Sequence, residues 1–443
     1  MKQMTNRAVL AAMTVFVIAG VAYAVPEVTN VTMAQRERSR IVDITYDLTG
    51  EEAAIITLGI ETNGVALPDS AVKLLTGDVS MVIQPGSDRH IVWNAGVDWP
   101  ENLTQVAKAK VTAWSVDAPP LYCAVDVVSG WVTNVYPVYY YVSAEAVPEG
   151  VTSYLYKTTR ILMRKIPPTG AGGFKMGAQP NEIGRNTANE VCHDVVLTKA
   201  FYAGVYQVTQ WQWEQVMGDK LSWPSRYKHQ DYNLTRPVET VSYYNVRENW
   251  SEEDANGSPL TTNWPQTNAV GEVSFMGRLQ AKTGLAGFDL PTDAQWEYAC
   301  RAGEIGALND GTVNITNNNS DARLDVLGRY IWNGGKINNG ADLPLNGCST
   351  AFATAAVGSY PPNTWGLYDM HGNVHEWCLD WYEADLGTAK AADPRGIDTG
   401  SNRIRRGGCF IETAAKCRSA ARSSSYPSHK GYDIGFRLFR NLP

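Results

Sequence analysis

Short runs of the chain alternate apolar and polar side chains from residue 42 onward. Val42, Ile44, Tyr46 and Leu48 fall on one face, and Asp43, Thr45 and Asp47 on the other. Ile56, Leu58 and Ile60 repeat the period against Thr57 and Glu61. Ala107, Ala109, Val111 and Ala113 repeat it against Lys108, Lys110 and Thr112. A period of two with one apolar face marks a half-buried strand. Val79–Ile83 and Ile91–Trp93 flank a turn-like PGSD at Pro85–Asp88. Strands at this spacing predict a small antiparallel β-sandwich over residues 25–117, with no catalytic constellation in it.

The pattern then changes. Residues 118–153 begin with Ala118-Pro119-Pro120 and continue apolar and Tyr-rich, which predicts a linker or bridging strands. Ile161–Ile166 and Phe174–Met176 predict a strand pair around a Gly-rich turn. The spacing there is not that of a phosphate loop. Helix starts follow. Thr209-Gln210-Trp211-Gln212 and Thr292-Asp293-Ala294-Gln295 both have the S/T-x-x-E/Q form of a capping box. Further helices are predicted over about Val270–Lys282, ending at Gly284, and over Ser242–Trp250. Asn309–Asn346 reads as loops. The closing stretch Arg403–Arg440 mixes Arg, Gly and β-formers, which predicts irregular strands with buried guanidiniums rather than an amphipathic helix.

Composition adds a compartment and removes a partner class. Lys2 and Arg7, the apolar run Ala8–Val21 and Ala22-Tyr23-Ala24 have the layout of a signal peptide over residues 1–24. The chain is therefore expected to be secreted, periplasmic or cell-surface, with no stable membrane span after cleavage. Formal net charge is −7, which argues against nucleic-acid binding. Seven cysteines are an odd number, so at least one thiol is free or paired outside the chain. No CxxC zinc spacing is present.

Candidate chemistry gathers in Trp365–Tyr382. Asp369, Gly372, Asn373 and Glu376 put oxygen donors around a turn, a donor type that suits Ca²⁺. His371 and His375 are four apart, but Gly372-Asn373 between them favours a turn over a shared helix face. One exposed histidine and one lining a pocket are expected. Cys409 and Cys417 form a disulfide between neighbouring strands, or stay as buried thiols, or bind a metal; export favours the disulfide.

Several motifs in order resemble the formylglycine-generating enzyme, or sulfatase-modifying factor, family. They are FKMG (Phe174–Gly177), FYAGVYQVTQWQW (Phe201–Trp213), PVETVSYY (Pro237–Tyr244), LPTDAQWEYACRAG (Leu290–Gly303), WGLYDMHGNVHEW (Trp365–Trp377), RIRRGG (Arg403–Gly408) and RSAAR…IGFRLF (Arg418–Arg422, Ile434–Phe439). The resemblance covers residues 154–443. It implies an α+β, C-type-lectin-like module of low regular structure, preceded by an all-β sandwich of immunoglobulin or fibronectin type. It also implies structural calcium held by Asp369 and Glu376 side chains and by Gly372 and Val374 carbonyls.

The family's oxidation of a peptide cysteine to formylglycine uses O₂ and a Cu(I) held by two thiolates, and soft thiolates suit Cu(I). Here Glu412 stands at the first thiolate position. Cys417 meets the second when counted forward, and Ala414 when counted back from Ala420-Ala421-Arg422. The resemblance thus implies a diverged, calcium-stabilised binding module or enzyme. Its pocket would hold Asn373, His375, Glu412 and Arg422, and its ligand would be a protein, peptide or carbohydrate. The alternative is a formylglycine-generating oxidase using copper at Cys409 and Cys417.

Overall fold

The computed structural model describes residues 26–102, 104, 106–129, 133–218, 233–248, 264–335 and 353–443. The predicted signal peptide and Cys348 lie outside them. So do the last residues of the predicted Ser242–Trp250 helix and part of the predicted Asn309–Asn346 loop.

Two four-stranded sheets form the N-terminal β region. One has strands Glu27–Gln35, Ile41–Thr49, Gly86–Asn94 and Leu75–Gly77 in that spatial order. The other joins Ala54–Thr62 to Val65–Ala66, Val82–Ile83 and Ala107–Ser115. Val42, Ile44, Tyr46 and Leu48 from the first sheet pack against Ile56, Leu58 and Ile60 from the second, as the alternation requires. Ala54–Thr62 departs from it, because Ile55 on its outer face is also buried. Ile55 packs into the core of the following module. The Tyr140 backbone N–H also donates to the Ser80 carbonyl at 2.6 Å. The sandwich is therefore docked, and one of its faces is not solvated.

The following module is α+β. Its largest sheet orders strands Val138–Tyr141, Tyr122–Asp126, Arg160–Ile166, Phe201–Gly204, Phe439–Asn441 and Phe288–Asp289. Residues read as a linker or bridge thus supply two strands at one edge of this sheet. Helices Gln210–Met217 and Asp293–Arg301 each carry the capping box read from sequence. The helix predicted over Val270–Lys282 begins only at Phe275, because the Ser274 side chain accepts from the Gly277 N–H and caps it there. Gly284, left-handed at φ 68°, ends it.

A second sheet positions the chemistry. Its order is Arg422–Ser425, Arg403–Arg406, His375–Trp381, Ile434–Gly435. His375–Trp381 runs antiparallel to Arg403–Arg406 and parallel to Ile434–Gly435. Three motifs distant in sequence thereby become neighbours. A cavity of about 830 Å³, lined in part by Val82, Tyr140, Phe288 and Arg440, lies elsewhere, between the sandwich and the module. Among the described residues, no helix is long and apolar enough to cross a membrane.

Candidate functional site

The ends of three adjacent strands bring polar side chains together. His375 opens the central strand, and its N–H donates to the Asp433 carbonyl at 2.8 Å. Asp433 directly precedes the Ile434–Gly435 strand. Arg403–Arg406 is followed by Gly407 and Gly408, at φ 91° and 70°. A Cβ on Gly408 would lie 2.6 Å from the Cys417 sulfur and 2.7 Å from the Lys416 carbonyl oxygen, so only glycine fits this turn. The turn delivers Cys409. Donor atoms of His375, Cys409 and Asp433 all lie within 4.8 Å of one another. Glu412 joins them, with Oε2 2.9 Å from His375 Nε2.

Electrostatics set this corner apart. Burial pushes the Cys409 thiol well up, and the nearby Glu412 and Asp433 charges push it further. Burial, followed by Glu412, raises Cys417 as well. Glu412 is pushed up by burial, but His375, Arg405 and Lys416 outweigh that and hold its carboxyl below the usual range. Arg405 Nη1 lies 3.1 Å from Asp433 Oδ2. Neither ring nitrogen of His375 has a hydrogen-bond partner, although the residue is 1% exposed. Its nearest acid is Glu412, whose Oε2 lies 2.9 Å from Nε2.

Behind this corner, the residues expected to hold calcium converge on other partners. Glu376 receives Arg437 Nη2 at 2.8 Å, Arg437 Nε at 3.1 Å, the Trp296 indole N–H at 2.7 Å and the Gln207 amide at 3.0 Å. Gln207 Nε2 also donates to the Val374 carbonyl at 3.1 Å and lies 3.5 Å from that of Asp369. Gly372 serves the turn: its N–H donates to the Gly407 carbonyl at 2.7 Å. Asp369 accepts from the Gly358 N–H at 2.6 Å, while its Oδ1 is buried without a partner. Burial pushes its carboxyl up to about 6. Ca²⁺ needs six to eight oxygen ligands. Here an amide N–H₂ points at the very oxygens that would ligate it, and a buried guanidinium already neutralises Glu376. Asp369, Gly372, Val374 and Glu376 do not fit a calcium ion.

Other expectations also change. Cys409 and Cys417 are both free and buried, so the disulfide is not formed. The Cys417 sulfur instead packs against the Gly408 turn. A two-thiolate copper site at the family positions does not fit either, because Glu412 offers only hard oxygen where a soft ligand is required. Both histidines are buried. His371 donates from Nδ1 to the Cys417 carbonyl at 2.7 Å, and its Nε2 accepts the Asn309 N–H at 3.1 Å. It braces the turn and does not face solvent. Arg422 lies away from the corner: it binds Asp293 at 2.9 Å and the Asn189 and Glu383 carbonyls. Asn373 is adjacent but internally engaged, donating to Gln207 and accepting from the Ala355 N–H.

Sequence reasoning missed Asp433 and Arg405. Asp433 sits one residue before the IGFR motif. Only the parallel pairing of His375 with Ile434 reveals its neighbour. Both residues lie inside quoted or adjoining motifs, but no spacing rule links them.

Residues 165–442 match the family model described as "Sulfatase-modifying factor enzyme 1-like domain". Formylglycine-generating enzyme of Mus musculus is 27% identical over 317 residues, which cover 67% of this chain and 79% of that protein. Chaperone protein LppX of Paenibacillus barcinonensis is 30% identical over 256 residues, covering 54% of this chain and 80% of that one. Among solved structures, Treponema denticola variable protein 1 is 26% identical, with a TM-score of 0.45, over 64% of this chain and 96% of that one.

Proposed function

The chain belongs to the sulfatase-modifying factor enzyme 1-like family, and on that premise we propose that it is an exported binding module that has left the family's cysteine oxidation behind. The signal-peptide-like layout of residues 1–24 supports export. The observation that carries the functional reading is Glu412. It stands where the resemblance places a copper thiolate, and it is paired with His375 at 2.9 Å. Linear Cu(I) coordination needs two soft ligands. The ligand is a peptide, protein or carbohydrate reaching the strand ends beside Glu412 and Asp433, whose side chains are 23% and 16% exposed.

A second reading draws on one observation: Cys409 and Cys417 are free and adjacent. In it, the two thiols form a rearranged copper pair. The purified protein is incubated with Cu(I), O₂ and a Cys-x-Pro-x-Arg peptide, and aldehyde is read by mass spectrometry. The binding reading expects unmodified peptide. Aldehyde that disappears in Cys409→Ala would replace it with the second reading.

A further inference from the structure

We propose that His375, Cys409, Glu412 and Asp433 form a binding site for a single borderline divalent metal ion, with zinc(II) as the type case. The inference shares Glu412 and Asp433 with the proposed binding role but does not require it. It concerns what the corner holds, and it stands whether or not peptide is oxidised.

Geometry is the first argument. Among the described residues, one group of His, Cys and acidic side chains has its donor atoms mutually close: His375, Cys409 and Asp433, all within 4.8 Å. Zinc–nitrogen and zinc–oxygen bonds are about 2.1 Å and zinc–sulfur bonds about 2.3 Å, so neighbouring ligands of one ion sit roughly 3 to 4 Å apart. The His375–Glu412 contact is 2.9 Å. The Cys409–Asp433 contact is 3.9 Å. Both match edges of one coordination sphere.

Unmet bonding is the second argument. A buried imidazole ordinarily finds a donor or acceptor, because an unpaired buried polar group is costly. His375 is 1% exposed, yet neither nitrogen has a hydrogen-bond partner. Glu412 Oε2 has none either, although it lies against the ring. His375 Nδ1, buried with no hydrogen-bond partner and no ion-pair contact, is the unmet group of the corner.

Charge is the third argument. With zinc bound, the Cys409 thiol gives up its proton, and thiolate, Glu412 and Asp433 face two cations, Arg405 at 3.1 Å from Asp433 and Lys416 near Glu412. The ligands keep a net negative charge, which favours a cation. Arg405 then acts as the outer partner that orients a ligating carboxylate. The donor types select the ion class. Imidazole and thiolate are not calcium ligands, and two carboxylates are poor partners for Cu(I). A mixed nitrogen, sulfur and oxygen set suits zinc(II).

The test uses the full chain, stripped with a chelator and dialysed against zinc(II) alone. Bound metal is measured by elemental analysis, and cobalt(II) substitution gives an optical readout. The expected result is one zinc per chain, with a thiolate-to-cobalt charge-transfer band in the near ultraviolet. Cys409→Ser should remove that band, and His375→Gln should weaken zinc binding at least tenfold. Cys417→Ser should retain both. Circular dichroism verifies folding of each variant, and Asp433→Asn serves if a core variant misfolds; it too should weaken zinc at least tenfold. Substoichiometric zinc in the wild type would overturn the site. So would a thiolate band that survives Cys409→Ser or vanishes in Cys417→Ser. The peptide oxidation assay is a separate readout, so the two proposals fail separately.

Discussion

Two kinds of buried polar cluster lie within a few residues of each other in the closing stretch. In one, each arginine meets its counter-charge. Arg406 binds Asp293 and Glu297, Arg437 binds Glu376, and Arg418 binds Glu182 and Glu190. In the other, His375 Nδ1 has no hydrogen-bond partner, and Cys409 faces two carboxylates. The first kind is closed: each guanidinium is fixed by carboxylates and carbonyls, which leaves it no role with a ligand. The second is less closed: Arg405 and Lys416 answer Asp433 and Glu412, but His375 Nδ1 has no hydrogen-bond partner. The closed clusters hold strands in place, whereas the second lies at strand ends, where the proposed zinc would bind.

Breaking the closed cluster should give the largest effect. Arg437→Met leaves the Glu376 carboxylate buried without its counter-ion, at a cost of about 3–5 kcal/mol. Urea unfolding of the variant against wild type measures it. Arg437→Met combined with Glu376→Leu should cost less than Arg437→Met alone, because no uncompensated charge remains.

Next comes pH. Burial lowers His371 to about 4 from its usual 6.5. The unfolded chain then binds a proton that the native state does not. The stability is fully present above about pH 6.5 and is lost as pH falls towards 4, by up to about 3 kcal/mol. Asp380 works the other way. Burial and then Asp293 raise it to about 7, so stability falls as pH rises from about 4 to 7. Unfolding curves of His371→Asn and Asp380→Asn, each against wild type across pH 4–7, separate the two. The first should flatten the acid loss, and the second should steepen it.

A smaller effect tests the amide that sits where calcium was expected. Gln207→Ala leaves the Asn373 amide and the Val374 carbonyl short of partners, at a cost of about 1–3 kcal/mol. Calcium chelation of the wild type should leave the thermal midpoint unchanged. A fall on chelation would restore the calcium site. Cys409→Ser in metal-free protein buries a hydroxyl in place of a thiol, at a cost of about 1–2 kcal/mol that urea unfolding measures.

Much of the fold was legible because local rules and tertiary packing agree there. The alternation of Val42–Leu48, the capping boxes at Thr209 and Thr292, and the buried arginines of the closing stretch all survive in three dimensions. The site was legible only in part. His375, Glu412 and Cys409 were named and do meet. The motif groups Arg422 with them, but its side chain points to Asp293. Asp433 was invisible because a parallel strand pairing of sequence-distant residues leaves no local pattern. Glu376 misled for a different reason: a carboxylate in an oxygen-rich turn reads as a cation ligand, and only the structure shows that the cation is Arg437.

Zinc-dependent thermal unfolding of the metal-free wild type beside His375→Ala tests the contrast most directly. A ligand at 100 times its dissociation constant stabilises the native state by about 2.7 kcal/mol. The wild-type midpoint should therefore climb with zinc and that of His375→Ala should not. Equal midpoints with and without zinc in the wild type, or an equal rise in both proteins, would contradict the zinc site.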